Sequence, residues 1–427
     1  MSTSSIIIII ANIVIAVILA VGLTPVFVWW ERRISAFMQD RSGPNRCHIG
    51  PFRLGGIIQS FADMLKLVFK EDFTPSHIKY KFFFTIAPAI VFMCSFLTFA
   101  AIPFADVLVI DGKENIMQAI PNKLGIMWFL AFAGLSVYGI ILGGYSSGSK
   151  YGLLGSIRAS AQVISYEAAM GLAIISMLLS YGSIHLTDIV NAQTGTYFGV
   201  VPMWGIFIQP LAAIIFIICA FAETNRAPFD LAEGESELVA GYHTEYSAMR
   251  FGLFQVGEYS AMSASSAIIV TLFFGGYQIP WLDTQAIQSN INYVILAIII
   301  LLPIKIFFLT KWMKKNNKAV GSNKSREKET KVLTFIFWSL AIFIMAVLIS
   351  FLVTGLGTNG VNIATAVIQI GIFLVKFFMM AFVFIWVRWT VLRFRYDQLQ
   401  MLGWKVLIPL ALLNIVITAI FVVVRGS

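Results

Sequence analysis

The chain has 427 residues, of which 59% are hydrophobic and only 12% charged, with a formal net charge of +9. That composition excludes a disordered chain and argues against an ordinary soluble domain. Cys47, Cys94 and Cys219 form no C-x-x-C pair, the four histidines do not pair at ligand spacing, and no Gly-rich phosphate loop is present. We therefore expect no redox centre, metal or nucleotide, and so no bound cofactor, in this chain.

A run of about 20 apolar residues crosses a bilayer core about 30 Å thick. By that rule the sequence predicts an all-α, polytopic membrane helix bundle of about ten transmembrane helices in a single transmembrane domain, 1–427. The spans fall at roughly 5–30, 82–105, 124–145, 159–181, 203–222, 260–281, 292–310, 332–356, 363–387 and 404–424. Strand alternation is absent, which argues against a β-barrel. The first span reads as a retained helix rather than a cleaved signal, because residues 1–5 carry no positive side chain and the apolar run is too long. It ends in "WWERR", an aromatic anchor followed by charge that marks a membrane–water boundary.

Charge orients the chain. Loops 31–81, 145–158, 222–257, 311–331 and 388–405 hold 9, 2, 2, 8 and 4 Lys/Arg, which is 25 of the 30. This asymmetry predicts that those loops are cytoplasmic and that both termini lie on the outer side. The net charge thus reports topology, and a nucleic-acid partner is not implied.

In the first cytoplasmic loop, "GGIIQSFADMLKLVFKED" carries an apolar stripe at helical spacing flanked by Lys66 and Lys70. It suits a helix lying in the interface, or equally one packed on other helices. Further on, Glu167 sits about eight residues into an apolar helix, where a carboxylate is costly and faces the bundle interior or a hydrated cavity. It reads as a proton relay or, more plainly, as a protonated group bonded to backbone. Lys376 lies near the middle of its helix and is a candidate partner for a carboxylate. Lys305 snorkels beside Pro303.

From Glu223 to Glu258 there are seven carboxylates and two basic residues, Arg226 and Arg250. Asp230, Glu233 and Glu237 would share one helix face, a destabilising pattern. A solvated acidic loop is one reading. The interleaved "APF", "LVAGY" and "EY" favour partial burial instead, where neighbouring carboxylates titrate as a coupled set suited to proton transfer. With the basic cluster "VRWTVLRFRYDQLQMLGWK", these segments give a mixed acidic and basic floor under an apolar bundle. The residues alone point to an ion-coupled or quinone-linked membrane subunit and do not choose between them.

The motifs "ERRISAFMQDRSGPNR", "FADMLKLVFKED", "SKYGLLGSIRASAQVISYE", "AETNRAPFDLAEGESELVAGYHTEY", "GEY" and "RFRYDQLQMLGWK" occur in this order. The chain closely resembles the quinone-proximal membrane subunit of respiratory complex I, called the H subunit in bacteria and subunit 1 in mitochondria, over most of 1–285 and 360–427. The resemblance implies a place in the bacterial cytoplasmic (inner) membrane, in a proton-translocating NADH:quinone oxidoreductase whose NADH, flavin and iron–sulfur sites lie in other subunits. It implies quinone as the substrate. Its partners would be soluble iron–sulfur and quinone-site subunits on the cytoplasmic side, small neighbouring membrane subunits, and lipid. Carried over by motif, Glu167, Glu223, Glu233, Glu235, Glu237 and Glu258 would belong to the proton-coupling path. Arg32, Arg41, Asp63, Arg226, Asp230 and Arg388 would line or shape the quinone tunnel. Tyr145 and Gly148 stand where the family usually has Trp and Asn. Residues 286–358 have no counterpart in the usual eight-helix subunit and read as an inserted helical pair joined by the basic linker "KWMKKNNKAVGSNKSREKETK". The competing readings are a membrane anchor of a related hydrogenase or formate-linked complex, and a free-standing ion–proton transporter. The latter predicts an internal inverted repeat that the sequence does not show.

Overall fold

The computed structural model describes residues 3–41, 43–44, 46–50, 54–121, 124–197, 199, 201–230, 241–319, 324–355 and 357–426. The first apolar run continues as α1 (Ser5–Met38), passing through "WWERR" instead of stopping there. Next come α2 (Ile57–Phe69), α3 (Lys81–Ala101), α4 (Gly125–Ser146), α5 (Lys150–Tyr181) and a short α6 (Leu186–Ala192). Then come α7 (Pro210–Glu223), α8 (Ala248–Phe273), α9 (Ile291–Ala319), α10 (Lys324–Thr354), α11 (Thr358–Thr390) and α12 (Tyr396–Val424). Among the described residues nine helices are long and apolar enough to cross a membrane. The chain is a multi-pass helical membrane bundle. Helices extend past several expected span edges because a helix continues into water wherever its own hydrogen bonds hold, and hydropathy does not record that.

The expected span at 203–222 differs most. Its helix is α7, 14 residues long, preceded by a single turn over Gly205–Ile208. Pro210 has no N–H to continue that turn and drives Gln209 out of helical geometry, to φ −131° and ψ 63°. Backbone freed inside an apolar bundle needs internal partners. The Gln209 N–H still donates to the Gly205 carbonyl at 2.8 Å, and its side chain adds three bonds: Nε2 donates to Ser180 Oγ at 2.9 Å and Thr418 Oγ1 at 2.8 Å, and Oε1 accepts from Asn414 Nδ2 at 3.0 Å. The break is thereby pinned to α5 and α12.

Helix α8 starts twelve residues earlier than the expected span at 260 and ends at Phe273, where Gly275 and Gly276 turn the chain at φ 70° and 47°. A side chain there would be strained. Strands were not expected, yet two small hairpins occur in connecting segments. Leu108–Ile110 pairs with Lys113–Asn115 across Asp111-Gly112, the dipeptide that favours a tight hairpin turn, and Thr196–Tyr197 pairs with Val201–Pro202.

Successive crossings alternate in direction. The loops richest in Lys and Arg therefore share one end, the basic end, and the hairpins share the far end. Helix α8 is the centre of the bundle, with 89% of its apolar stretch buried, against 11% for α9 and 6% for α10. The α9–α10 pair packs at the edge through Ile287, Ile291 and Ile295, which meet Leu348 and Leu352 of α10 and Val361 of α11. Trp312 of α9 also meets Phe37 of α1 in a tilted contact, with ring centroids 6.1 Å apart.

Candidate functional site

On α1 the buried residues include Phe27, Glu31, Ile34 and Ser35, spaced as one helix face. That spacing turns Glu31 inward, away from its exposed neighbour Arg32. Its carboxylate is the hub of a buried cluster at the basic end. Oε2 accepts from Arg226 Nη1 at 3.1 Å and from the Tyr259 hydroxyl at 3.0 Å, while Oε1 lies 2.7 Å from Arg388 Nη1. The Arg226 guanidinium stacks over the Tyr259 ring, 4.2 Å from its centroid. Arg226 is only 1% exposed, and its Nε and Nη2 have no hydrogen-bond partner among the described residues.

Arg226 arrives there because the segment after α7, Thr224–Asp230, folds back into the protein and is buried throughout. Gln162 of α5 anchors that turn, donating from Nε2 to the Ala222 carbonyl at 2.8 Å and to Asn225 Oδ1 at 3.3 Å. Phe229 stacks on Phe394, the Phe394 N–H donates to the Pro228 carbonyl at 3.2 Å, and Asp230 pairs with Arg393 at 3.1 Å. Among the described residues two carboxylates, Glu31 and Asp230, thus face three guanidiniums, Arg226, Arg388 and Arg393. Buried ions are held only when well paired and hydrogen-bonded, so the spare donors of Arg226 suit a polar group from outside the chain.

The other expected binding residues sit nearer the surface. Arg32 Nη1 forms an ion pair with Asp63 Oδ2, both partly exposed, which ties α1 to α2. Arg41 bonds the Gln39 side chain at 2.6 Å and Ser35 Oγ at 3.2 Å, and so braces the loop after α1. The apolar stripe of α2 faces outward: Phe61, Leu65, Val68 and Phe69 are exposed, while Ser60 is buried. This arrangement fits a helix lying in the interface.

Three of the expected carboxylates, Glu167, Glu223 and Glu258, lie among the described residues. Glu167 lies on α5 against Gly134 of α4, so closely that a Cβ at 134 would come within 2.5 Å of Glu167 Oε1. It lines an open depression at the surface of the bundle with Leu130, Ile164, Ala168 and Gly171. Glu223 ends α7 with its Oε2 buried and without a partner among the described residues. Glu258 starts the apolar part of α8 and accepts from the Tyr242 hydroxyl at 3.5 Å. Glu233, Glu235 and Glu237 lie outside the described residues. Tyr246, at the edge of this region, stacks on Phe84 at 4.0 Å, and burial pushes its phenol up to about 12, so it remains a neutral donor at ordinary pH.

Glu31, Tyr259 and Arg393 were not among the expected binding residues. Glu31 was hidden in "WWERR", which reads as a boundary, although its spacing from Phe27 and Ile34 places it on the buried face. Lys376 differs from expectation too. Its Nζ donates to the carbonyls of Phe274, Gly276 and Gln278 at 2.8, 3.0 and 2.6 Å and lies 4.8 Å from the Trp204 ring centroid, and none of these partners is a carboxylate. It caps the turn that ends α8, where carbonyls are left without helical partners. Among the described residues no three His, Cys, Asp or Glu side chains come together in a way that could hold a metal ion.

The sequence profile of the NADH dehydrogenase family matches residues 10–316 and 330–419. The chain is 39% identical to the NADH-quinone oxidoreductase H subunit of Flavobacterium psychrophilum, an alignment covering 92% of this chain and 90% of that one. It is 37% identical to the H subunit of Bdellovibrio bacteriovorus, covering 97% and 96%, and 40% identical to the second H subunit of Geobacter sulfurreducens, covering 96% and 94%. The chain therefore belongs to the NADH dehydrogenase family, among the H-type membrane subunits of NADH-quinone oxidoreductase.

Proposed function

We propose that this chain forms the membrane end of the quinone site of the complex, with the quinone head group held at the Glu31–Arg226–Arg388–Tyr259 cluster. The observation that carries this reading is the buried Arg226 guanidinium: among the described residues two of its donors have no partner, and the carboxylate it pairs with is shared with Arg388. A quinone carbonyl accepts hydrogen bonds and gains negative charge on reduction, and a buried guanidinium with donors to spare stabilises that charge in a low-dielectric site. Arg32, Asp63 and Arg41 would shape the approach past α2, whose exposed apolar stripe suits the membrane surface. Asp230 would hold Arg393 in place.

Glu223, Glu258 and Glu167, with Glu233, Glu235 and Glu237, would pass the electrostatic effect of quinone reduction into the bundle as a proton-coupling path. In this reading the basic end faces the cytoplasm, both termini face outward in the bacterial inner membrane, and soluble iron–sulfur subunits dock on the basic end. Residues 286–358 would be an added peripheral pair, consistent with its packing at the edge. The test is Arg226→Gln in the intact complex. The Michaelis constant for quinone should rise while electron flow from NADH to an artificial acceptor that bypasses quinone stays unchanged. An unchanged quinone constant would rule the assignment out.

A further inference from the structure

Helix α8 is the most buried of the crossing helices, yet it carries Ser260, Ser263, Ser266 and Thr271, all 2% exposed or less. Two of these bond within their own helix: Ser263 Oγ to the Tyr259 carbonyl at 2.9 Å and Thr271 Oγ1 to the Ala267 carbonyl at 2.8 Å. Ser260 Oγ and Ser266 Oγ have no partner among the described residues, and neither does Thr24 Oγ1 on α1. Tyr259, Ser263 and Ser266 are spaced as one helix face, the face that meets Glu31. Helices α1 and α8 touch and run in opposite directions, and the Tyr259–Glu31 bond at 3.0 Å sets their register. Thr24 and Ser266 each lie seven residues from that bond, about 10 Å farther along at ~1.5 Å per residue. Two orphaned hydroxyls therefore come at the same depth.

Toward the far end a second polar network begins at Thr271, five residues or about 7.5 Å beyond Ser266. The Thr271 carbonyl accepts from Gln193 Nε2 at 3.0 Å. Lys376 gathers the carbonyls of the next turn, ending at Gln278. Gln278 is 1% exposed, and its Oε1 is another buried atom without a partner among the described residues. Its Nε2 donates to Asn191 Oδ1 at 3.2 Å and Thr284 Oγ1 at 3.4 Å, and Thr284 donates to Asp106 Oδ2 at 2.7 Å. Asp106 is partly exposed in the loop after α3.

Buried polar atoms are almost always bonded, and where protein supplies no partner ordered water does. We propose that water joins the α8 hydroxyls into a hydrogen-bonded column from the Glu31–Tyr259 cluster to Asp106, giving this chain its own proton route to the far face. Each step moves a proton between hydroxyl and water oxygens, one O–H bond forming as another breaks, with the Gln193 and Gln278 amides only orienting the water, so no electron or co-reactant is consumed. Lys376 is a positioning residue, fixing the turn that sets Gln278 over the mouth of the column. The route is separate from Glu167 on α5, and it rests on the quinone reading only for the event that drives protons into it.

The experiment uses the intact complex. A cryo-EM map at a resolution that shows water is expected to place water beside Ser260, Ser266, Thr24 and Gln278 Oε1. In proteoliposomes, Ser266→Leu, which fills the column, is expected to lower the protons moved per quinone reduced while leaving the quinone Michaelis constant unchanged. Ser266→Val serves if the leucine variant does not assemble. A dry column in the wild-type map overturns the proposal whatever the variants do, as does a wild-type proton ratio in either assembled variant. Failure of the quinone reading shows separately, as an unchanged quinone constant in Arg226→Gln.

Discussion

Glu31→Gln removes one charge and almost no volume, so its effect isolates the electrostatics of the buried cluster. In the wild type the carboxylate sits 2.7 Å from Arg388 and 3.1 Å from Arg226, and accepts from Tyr259 at 3.0 Å. Glutamine keeps one acceptor oxygen but leaves two buried guanidiniums with no shared counter-ion. Breaking a buried ion pair from one side costs about 3–5 kcal/mol, because the surviving charge is stranded. Removing Arg388 as well, as Glu31→Gln/Arg388→Met, takes away one of the two guanidiniums that lose the shared carboxylate. The double variant should therefore cost less than the sum of the two single ones, with a coupling of about 0.5–3 kcal/mol. The assay is thermal denaturation of the purified complex and its single and double variants, with the yield of assembled complex as a second readout. If Glu31→Gln melts with the wild type, or if the single effects simply add, the cluster is not one electrostatic unit.

Lys376→Met leaves the carbonyls of Phe274, Gly276 and Gln278 without their ammonium partner; we expect a loss of about 1–3 kcal/mol, seen as faster proteolysis or amide exchange at the turn after α8. A turn as protected as in the wild type would contradict that role. Glu167→Gln should lower coupled proton movement while assembly persists, since its carboxylate already packs on Gly134 and the amide has the same shape. Glu235→Gln should behave alike, and full activity in both assembled variants would remove the carboxylate path. Deleting 286–358 with a short joining linker should leave catalysis largely intact, because α9 and α10 bury little of their surface in this chain. An assembled deletion complex without activity would give the pair a working part.

The range of each interaction decided how legible it was in the sequence. Apolar length reported the helical membrane bundle because it is local and summed over many residues. The broken crossing at Gln209–Pro210 escaped because a hydropathy window averages across it, although Pro210 was the visible cue. The hairpin at Asp111-Gly112 carried a recognisable turn signal, outweighed by the expectation of helix everywhere. Glu31 was readable from its spacing to Phe27 and Ile34, but adjacent Trp and Arg residues suggested a boundary instead. The partners of Lys376 and the network joining Asp106, Asn191, Gln278 and Thr284 come from segments up to 178 residues apart. No periodicity reports contacts of that kind.

The quinone assignment is tested most directly by covalent capture. The complex, purified through a tag on this chain and shown to reduce quinone with NADH, would be illuminated with a photoreactive quinone analogue and the modified peptides mapped. Adducts are expected on the peptides carrying Glu31, Arg226 and Arg388, suppressed by excess natural quinone. Competed adducts confined to the α9–α10 pair or to the far-end loops, with none at these three residues, would contradict the assignment.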